Sequence, residues 1–295
     1  MFLSFLFLAE YSPRLSEGFA PYLAGSVYFM LLFAGLLLDL VLLRRFLAVP
    51  LPWDNMAGRL GERPWFLKDA LWLVLALASV QALAGAFYWL GVRHGWLPRA
   101  EKESAAALVQ GILFHGLALF LVWIFMRSRG SSWDAAFGMN RRALRRAAGQ
   151  GLVSYVGILP VIFTISLLYQ LFLYAGGYPV TLQDVVEIFL EPQSGWSLLC
   201  LMTLAVVVAP IVEEILFRGI LLPVLMRKAG LGTAVVVSSI LFALIHQHLP
   251  SFIPLFVLSV ALSLLYVYSG SLWGPIILHA LFNGISICIL LLVSA

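Results

Sequence analysis

The sequence predicts an all-α, polytopic membrane protein with about eight transmembrane helices, and three observations carry that prediction. Of its 295 residues, 62% are hydrophobic and 11% charged, with a mean hydropathy of +1.01. That leaves too little polar surface to cover a soluble core. Eight stretches approach or exceed the ~20 apolar residues a helix needs to cross hydrocarbon. Lys and Arg gather in alternate connections between those stretches.

Taken in order, the stretches are 20–43, 69–92, 104–126, 150–175, 196–225, 232–248, 250–269 and 272–294. The first and second are joined by a connection holding Arg44, Arg45, Arg59, Arg63 and Lys68. The third and fourth are joined by one holding Arg127, Arg129, Arg141, Arg142, Arg145 and Arg146, and the fifth and sixth by Arg227 and Lys228. Arg14 precedes the first stretch, Arg93, Arg99 and Lys102 lie between the second and third, and 177–195 and everything after 229 are free of Lys and Arg. By the positive-inside rule the three basic connections are cytoplasmic and both termini lie on the other side. The segment SWDAAFGMNRRALRRAA then rests on anionic headgroups. The opening MFLSFLFLA lacks a basic leader, so a cleaved signal peptide is not expected. Cys200 and Cys288 fall within spans and imply no disulfide framework. Topology accounts for the net charge of +4, so the lipid bilayer is the implied partner, and no motif points to nucleic acid. The chain reads as one membrane-embedded domain over 1–295.

Against this apolar background, APIVEEILFRGILLP places Glu213, Glu214 and Arg218 inside a span. At roughly 2.5–3.5 kcal/mol per charge on insertion scales, the three together would cost up to about 8–10 kcal/mol if unpaired. Glu214 and Arg218 are four apart with the carboxylate toward the N-terminus, the favourable orientation for a pair on one helix face. Glu213, turned by roughly 100°, is left over. The sixth stretch puts Phe242 and His246 on one face and the eighth puts His279 and Asn283 on one face, each pair at four-residue spacing. Counting helical rise from the span ends brings Glu213, His246 and Asn283 to similar depths, with His279 one turn shallower. Pro210 cannot donate to the carbonyl of Val206, so a kink that admits water is expected beside the carboxylates.

Glu213, Glu214 and Arg218 fit E-E-x-x-x-R, Phe242 and His246 fit F-x-x-x-H, and His279 with Asn283 fits H-x-x-x-N. In this order the three motifs resemble those of the CAAX-protease and bacteriocin-processing (CPBP, or Abi) family of intramembrane proteases, to which the eukaryotic Ras-converting enzyme belongs. The resemblance covers a catalytic core of about 200–290 and implies an eight-helix membrane fold. It also implies an endopeptidase that cleaves a membrane-associated protein or peptide. By that resemblance Glu213 is the general base, His246 holds and polarises the water, and His279 and Asn283 are the oxyanion donors. Glu214, Arg218 and Phe242 support them. The short loops resemble the prokaryotic branch of the family, which implies a prokaryotic cytoplasmic membrane.

Two alternatives stand beside this reading. Two histidines and a glutamate are zinc-ligand types, but the sequence has no H-E-x-x-H helix, and Asn283 and Arg218 suit a zinc ion poorly, so no cofactor is expected. An intramembrane charge network also serves transporters, which show inverted repeats or paired broken helices; no such symmetry is visible here. The acidic, amphipathic segment 180–196 reads as an interfacial connector on the non-cytoplasmic side, with a gate over the cavity as the second reading.

Overall fold

The computed structural model describes residues 19–48, 51–96, 103–179, 181–190 and 194–294. The opening MFLSFLFLA, Arg14, Arg99 and Lys102 lie outside the described residues. All secondary structure among the described residues is helical. In chain order the helices are α1 (Phe19–Ala48), α2 (Trp53–Gly61), α3 (Leu67–Arg93), α4 (Glu103–Ser128), α5 (Trp133–Phe137), α6 (Arg141–Ala175), α7 (Asp184–Glu187), α8 (Gly195–Thr203), α9 (Ala209–Glu214), α10 (Leu222–Ile245), α11 (Leu249–Ser269) and α12 (Trp273–Ser294). Two π-helical stretches, Leu204–Val208 and Ile215–Leu221, flank α9.

Seven continuous helical runs are long and apolar enough to cross a membrane, and one of them, Gly195–Ile245, is 51 residues long. At ~1.5 Å per residue it would extend about 76 Å if straight, more than twice the ~30 Å of hydrocarbon. It is not straight. Gly230 adopts φ 79°, ψ 170°, outside the helical region and open to glycine at no steric cost. The chain doubles back there, because the rings of Phe217 and Phe242 meet at 5.3 Å between centroids. The run therefore makes two passes, and the seven runs amount to the eight passes expected.

The second pass is short. From Leu231 to Ile245 it rises about 22 Å, less than a full span. The helix ends at Ile245 rather than continuing to 248, and His246, Gln247 and His248 form a tight connection with Gln247 at φ 49°.

The long helix α6, 35 residues, packs against α1, α11 and α12. Pro160 within it leaves the carbonyl of Val156 without its helical donor, and a Cβ built at Gly35 of α1 would collide with that oxygen. Large apolar side chains cover the outside, among them Phe29, Met30, Trp72 and Phe172, each about 70% exposed. Such a surface is stable facing acyl chains, with backbone groups satisfied inside the helices.

The three basic connections meet at one end of the bundle. Arg63 donates to the carbonyls of Ala135 (2.6 Å) and Gly270 (2.8 Å), Arg129 to that of Pro64 (3.2 Å), and Arg227 to that of Arg63 (3.4 Å). Arg129 also pairs with Asp69 at 2.6 Å. Beneath these bonds Trp65 and Phe137, both fully buried, stack at 5.5 Å.

Candidate active site

The carboxylates lie on α9, the six-residue α-helix between the two π-helical stretches. Pro210 explains the first stretch. Ala209 donates its N–H to Leu204, a five-residue closure, and Pro210 has no N–H to offer. The carbonyl of Ala205 is thereby released from its usual helical partners. Asn283 on α12 takes it, donating from Nδ2 at 3.0 Å. Instead of a sharp kink, the proline produces a widened turn closed by a side chain from another helix.

The two adjacent carboxylates have different surroundings. Glu214 is fully buried; its Oε1 accepts from Arg218 at 2.8 Å and from His279 Nδ1 at 2.9 Å. Arg218, also fully buried, donates from NH2 to the Oγ (2.7 Å) and carbonyl (3.2 Å) of Ser259 on α11. Glu213 keeps 21% of its side chain exposed, and its Oε2, without a hydrogen bond among the described residues, faces His279 Nε2 at 3.8 Å. Since the Glu214 oxygen accepts, His279 Nδ1 carries a proton and Nε2 is the nitrogen turned to Glu213.

Phe242 joins the three motifs. Its buried ring lies 4.6 Å from the Arg218 guanidinium carbon, a cation–π contact, and 4.9 Å and 5.7 Å from the rings of His246 and His279. His246, at the C-cap of α10, bonds through Nδ1 to the carbonyl of Phe242 at 2.7 Å. A carbonyl only accepts, so Nδ1 holds the proton and Nε2 offers its lone pair. Among the described residues no hydrogen bond joins His246 to Glu213.

The structure thus brings Glu213, Glu214, Arg218 and His279 into direct contact, links His246 to them through Phe242, and sets Asn283 one turn beyond His279 on the widened turn before Glu213. Sequence reading missed Ser259 and the carbonyl of Ala205. Ser259 and Ser263, four apart in a largely apolar helix, were the available signal for the first; for the second it was Pro210, whose missing donor was assigned to Val206 on the assumption of α-helical closure. His279 Nδ1 and Arg218 converge on one oxygen of Glu214, so both donors are engaged with that carboxylate.

The connector also takes on more structure than expected of it. Leu182, Val186, Ile188 and Phe189 are buried against Leu201, Ile287 and Leu290, and Thr181 Oγ1 lies 3.1 Å from His248 Nε2. Residues 180 and 191–193 of that segment lie outside the described residues.

Residues 195–285, the stretch that holds every one of these motifs, match the family model described as type II CAAX prenyl endopeptidase Rce1-like. This segment is similar to the Rce1-like family. The match agrees with the CPBP resemblance carried by the motifs. A Bacillus subtilis protein named "Putative membrane peptidase YdiL" is 31% identical over 77 residues, 26% of this chain and 32% of that protein. The chain thus spans about a third of the length of the curated relative it matches. No solved structure matches it. The matched segment begins at the helix leading into the first π-helical stretch and ends two residues beyond Asn283, so it encloses every residue of the charge cluster.

Proposed function

We propose that the protein is an intramembrane endopeptidase that cleaves a membrane-associated protein or peptide with water activated by Glu213. The observation that carries this reading is the division between the carboxylates. Glu214 is fully buried and paired with Arg218 at 2.8 Å, whereas Glu213 keeps 21% of its side chain exposed and has no arginine partner among the described residues.

In the proposed reaction Glu213 takes a proton from water while His246 Nε2 accepts a hydrogen bond from the same molecule. The oxygen adds to the scissile carbonyl carbon, and the electron pair moves to the carbonyl oxygen. His279 Nε2–H and the second Nδ2–H of Asn283 donate to that oxyanion. Glu213 then returns its proton to the amide nitrogen as the C–N bond breaks, leaving a carboxylic acid and an amine. For His279 to donate from Nε2 while Nδ1 donates to Glu214, the ring carries both protons. Glu213, Glu214, Arg218 and His279 then sum to zero charge, the state least costly to hold in a membrane.

No metal enters these steps, and prolonged chelation is expected to leave activity intact. The zinc reading forecasts loss on chelation, restoration by zinc, and stoichiometric metal by elemental analysis. A prokaryotic cytoplasmic membrane, with both chain termini on its outer side, is the proposed setting.

The direct test is Glu213→Gln, compared with wild type by mass spectrometry of peptides released from membrane fractions. Proteolysis is expected to vanish while the variant inserts, purifies and melts at or above the wild-type temperature, because active-site carboxylates are commonly held at a cost to stability. Full cleavage by this variant of a substrate that wild type cleaves refutes the assignment.

A further inference from the structure

At the basic end of the bundle, away from the glutamates, lies a cavity of about 570 Å³. Arg142, Arg146 and Gln150 line it from α6, Asn140 stands at the N-cap of that helix, and Tyr268 and Ser269 close it from the end of α11. Positions 142, 146 and 150 recur every four residues and share one face. Arg63, Arg129 and Arg227 at the same end donate to backbone carbonyls or to Asp69. Arg142 and Arg146 have no hydrogen bond or ion pair among the described residues, and no acidic side chain lines the cavity. Asp134, on the preceding helix, accepts from Asn140 Nδ2 at 3.0 Å.

Two unpaired guanidiniums over a concavity edged with amides and hydroxyls form a receptor for a phosphate, whose oxygens match the guanidinium donors. The positive end of α6 points the same way. The volume exceeds what a bare ion fills and falls in the range of small-molecule sites. Just below, Val153 of α6, three residues beyond Gln150 on the same helix face, is 46% exposed, an apolar continuation of the cavity along the helix. A ligand with an anionic head and acyl chains matches both parts.

We infer that this cavity binds the headgroup of an anionic phospholipid, with Arg142 and Arg146 holding the phosphate. Gln150, Tyr268 and Ser269 hydrogen-bond the remainder of the headgroup, and the acyl chains follow α6 outward. The site is separate from the carboxylates and does not depend on the proteolytic reading. It touches the same scaffold, because a Cβ at Gly151, next to Gln150, would press on Ile277 of α12, two residues before His279.

The test uses the full chain, delipidated in neutral detergent and titrated with phosphatidylglycerol or with phosphatidylcholine of the same acyl chains, read by native mass spectrometry and melting temperature. Phosphatidylglycerol is expected to bind saturably and raise the melting temperature, and phosphatidylcholine to do neither. R142Q/R146Q is expected to weaken phosphatidylglycerol binding roughly 10- to 30-fold. R141Q/R145Q, the same charge change at arginines that do not line the cavity, is expected to retain it. Equal binding of the two lipids, or equal weakening by the two double variants, overturns the site in favour of diffuse attraction. Inorganic phosphate reproducing the shift at equal concentration overturns the lipid in favour of a soluble anion.

Discussion

Glu213 and Glu214 are adjacent in sequence but differ in exposure and in pairing with Arg218. Arg218 pairs with Glu214 and Ser259 with no exposure to solvent, so removing it strands a buried carboxylate. Arg218→Ala is therefore expected to lower the melting temperature in detergent, by an amount equivalent to about 3–5 kcal/mol, along with activity. Arg218→Lys is expected to recover part of the stability, since an ammonium reaches Glu214 but cannot fork to Ser259 as well. Calorimetry of both variants beside Glu213→Gln checks this, and equal destabilisation by all three contradicts the division of roles. The pairing was legible in the sequence because four-residue spacing on a helix fixes a face. That His279 would reach both carboxylates was not legible, because no local rule sets how α12 rotates against α9.

At the level of elements, the widened turn before α9 is the feature that sequence alone misjudged. A proline in a helix announces a missing donor, but whether the backbone kinks or closes over five residues depends on what can satisfy the freed carbonyl, here an amide 78 positions away. Asn283 holds Ala205 with one N–H, and the proposed mechanism assigns its second N–H to the oxyanion. Asn283→Ala is expected to lower kcat by roughly 10²–10³ with a modest change in KM, the usual effect of losing one oxyanion donor. Asn283→Asp keeps the size of the side chain but removes both donors and is expected to be no better. Single-turnover kinetics on a cleaved peptide distinguishes this from a purely structural loss, in which KM and stability would move as well.

On the scale of the whole molecule, counting apolar residues gave the number of passes, and the contact between Phe217 and Phe242 explains why a helix count alone stops at seven. The end of the sixth pass was placed three residues too late, because His246, Gln247 and His248 sit between apolar residues and do not break the hydropathy pattern. The side-to-side order of the basic connections was legible from charge; their joint fastening through Arg63 and Trp65 was not. In a background lacking Cys200 and Cys288, Tyr178→Cys is expected to react with an impermeant maleimide in intact cells, whereas Ser131→Cys and Lys228→Cys react only after permeabilisation. The reverse pattern inverts the proposed orientation.

The pairing of Glu214 with Arg218 inside one helical segment also bears on biosynthesis. A chain emerging from the ribosome presents its N-terminal helices first. When α9 reaches the bilayer, Arg218 is already four residues from its counter-ion, so these two charges can leave water as a neutral pair with no other helix present. His279 follows 65 residues after Glu214, on α12. Until α12 arrives, Glu213 is the one carboxylate of the pair without a cation assigned to it, and the nascent site is inert because its proposed oxyanion donors have not been made. Under the proposed mechanism, competence therefore waits for α12, and a chain released before α12 is made lacks the means to cut its neighbours.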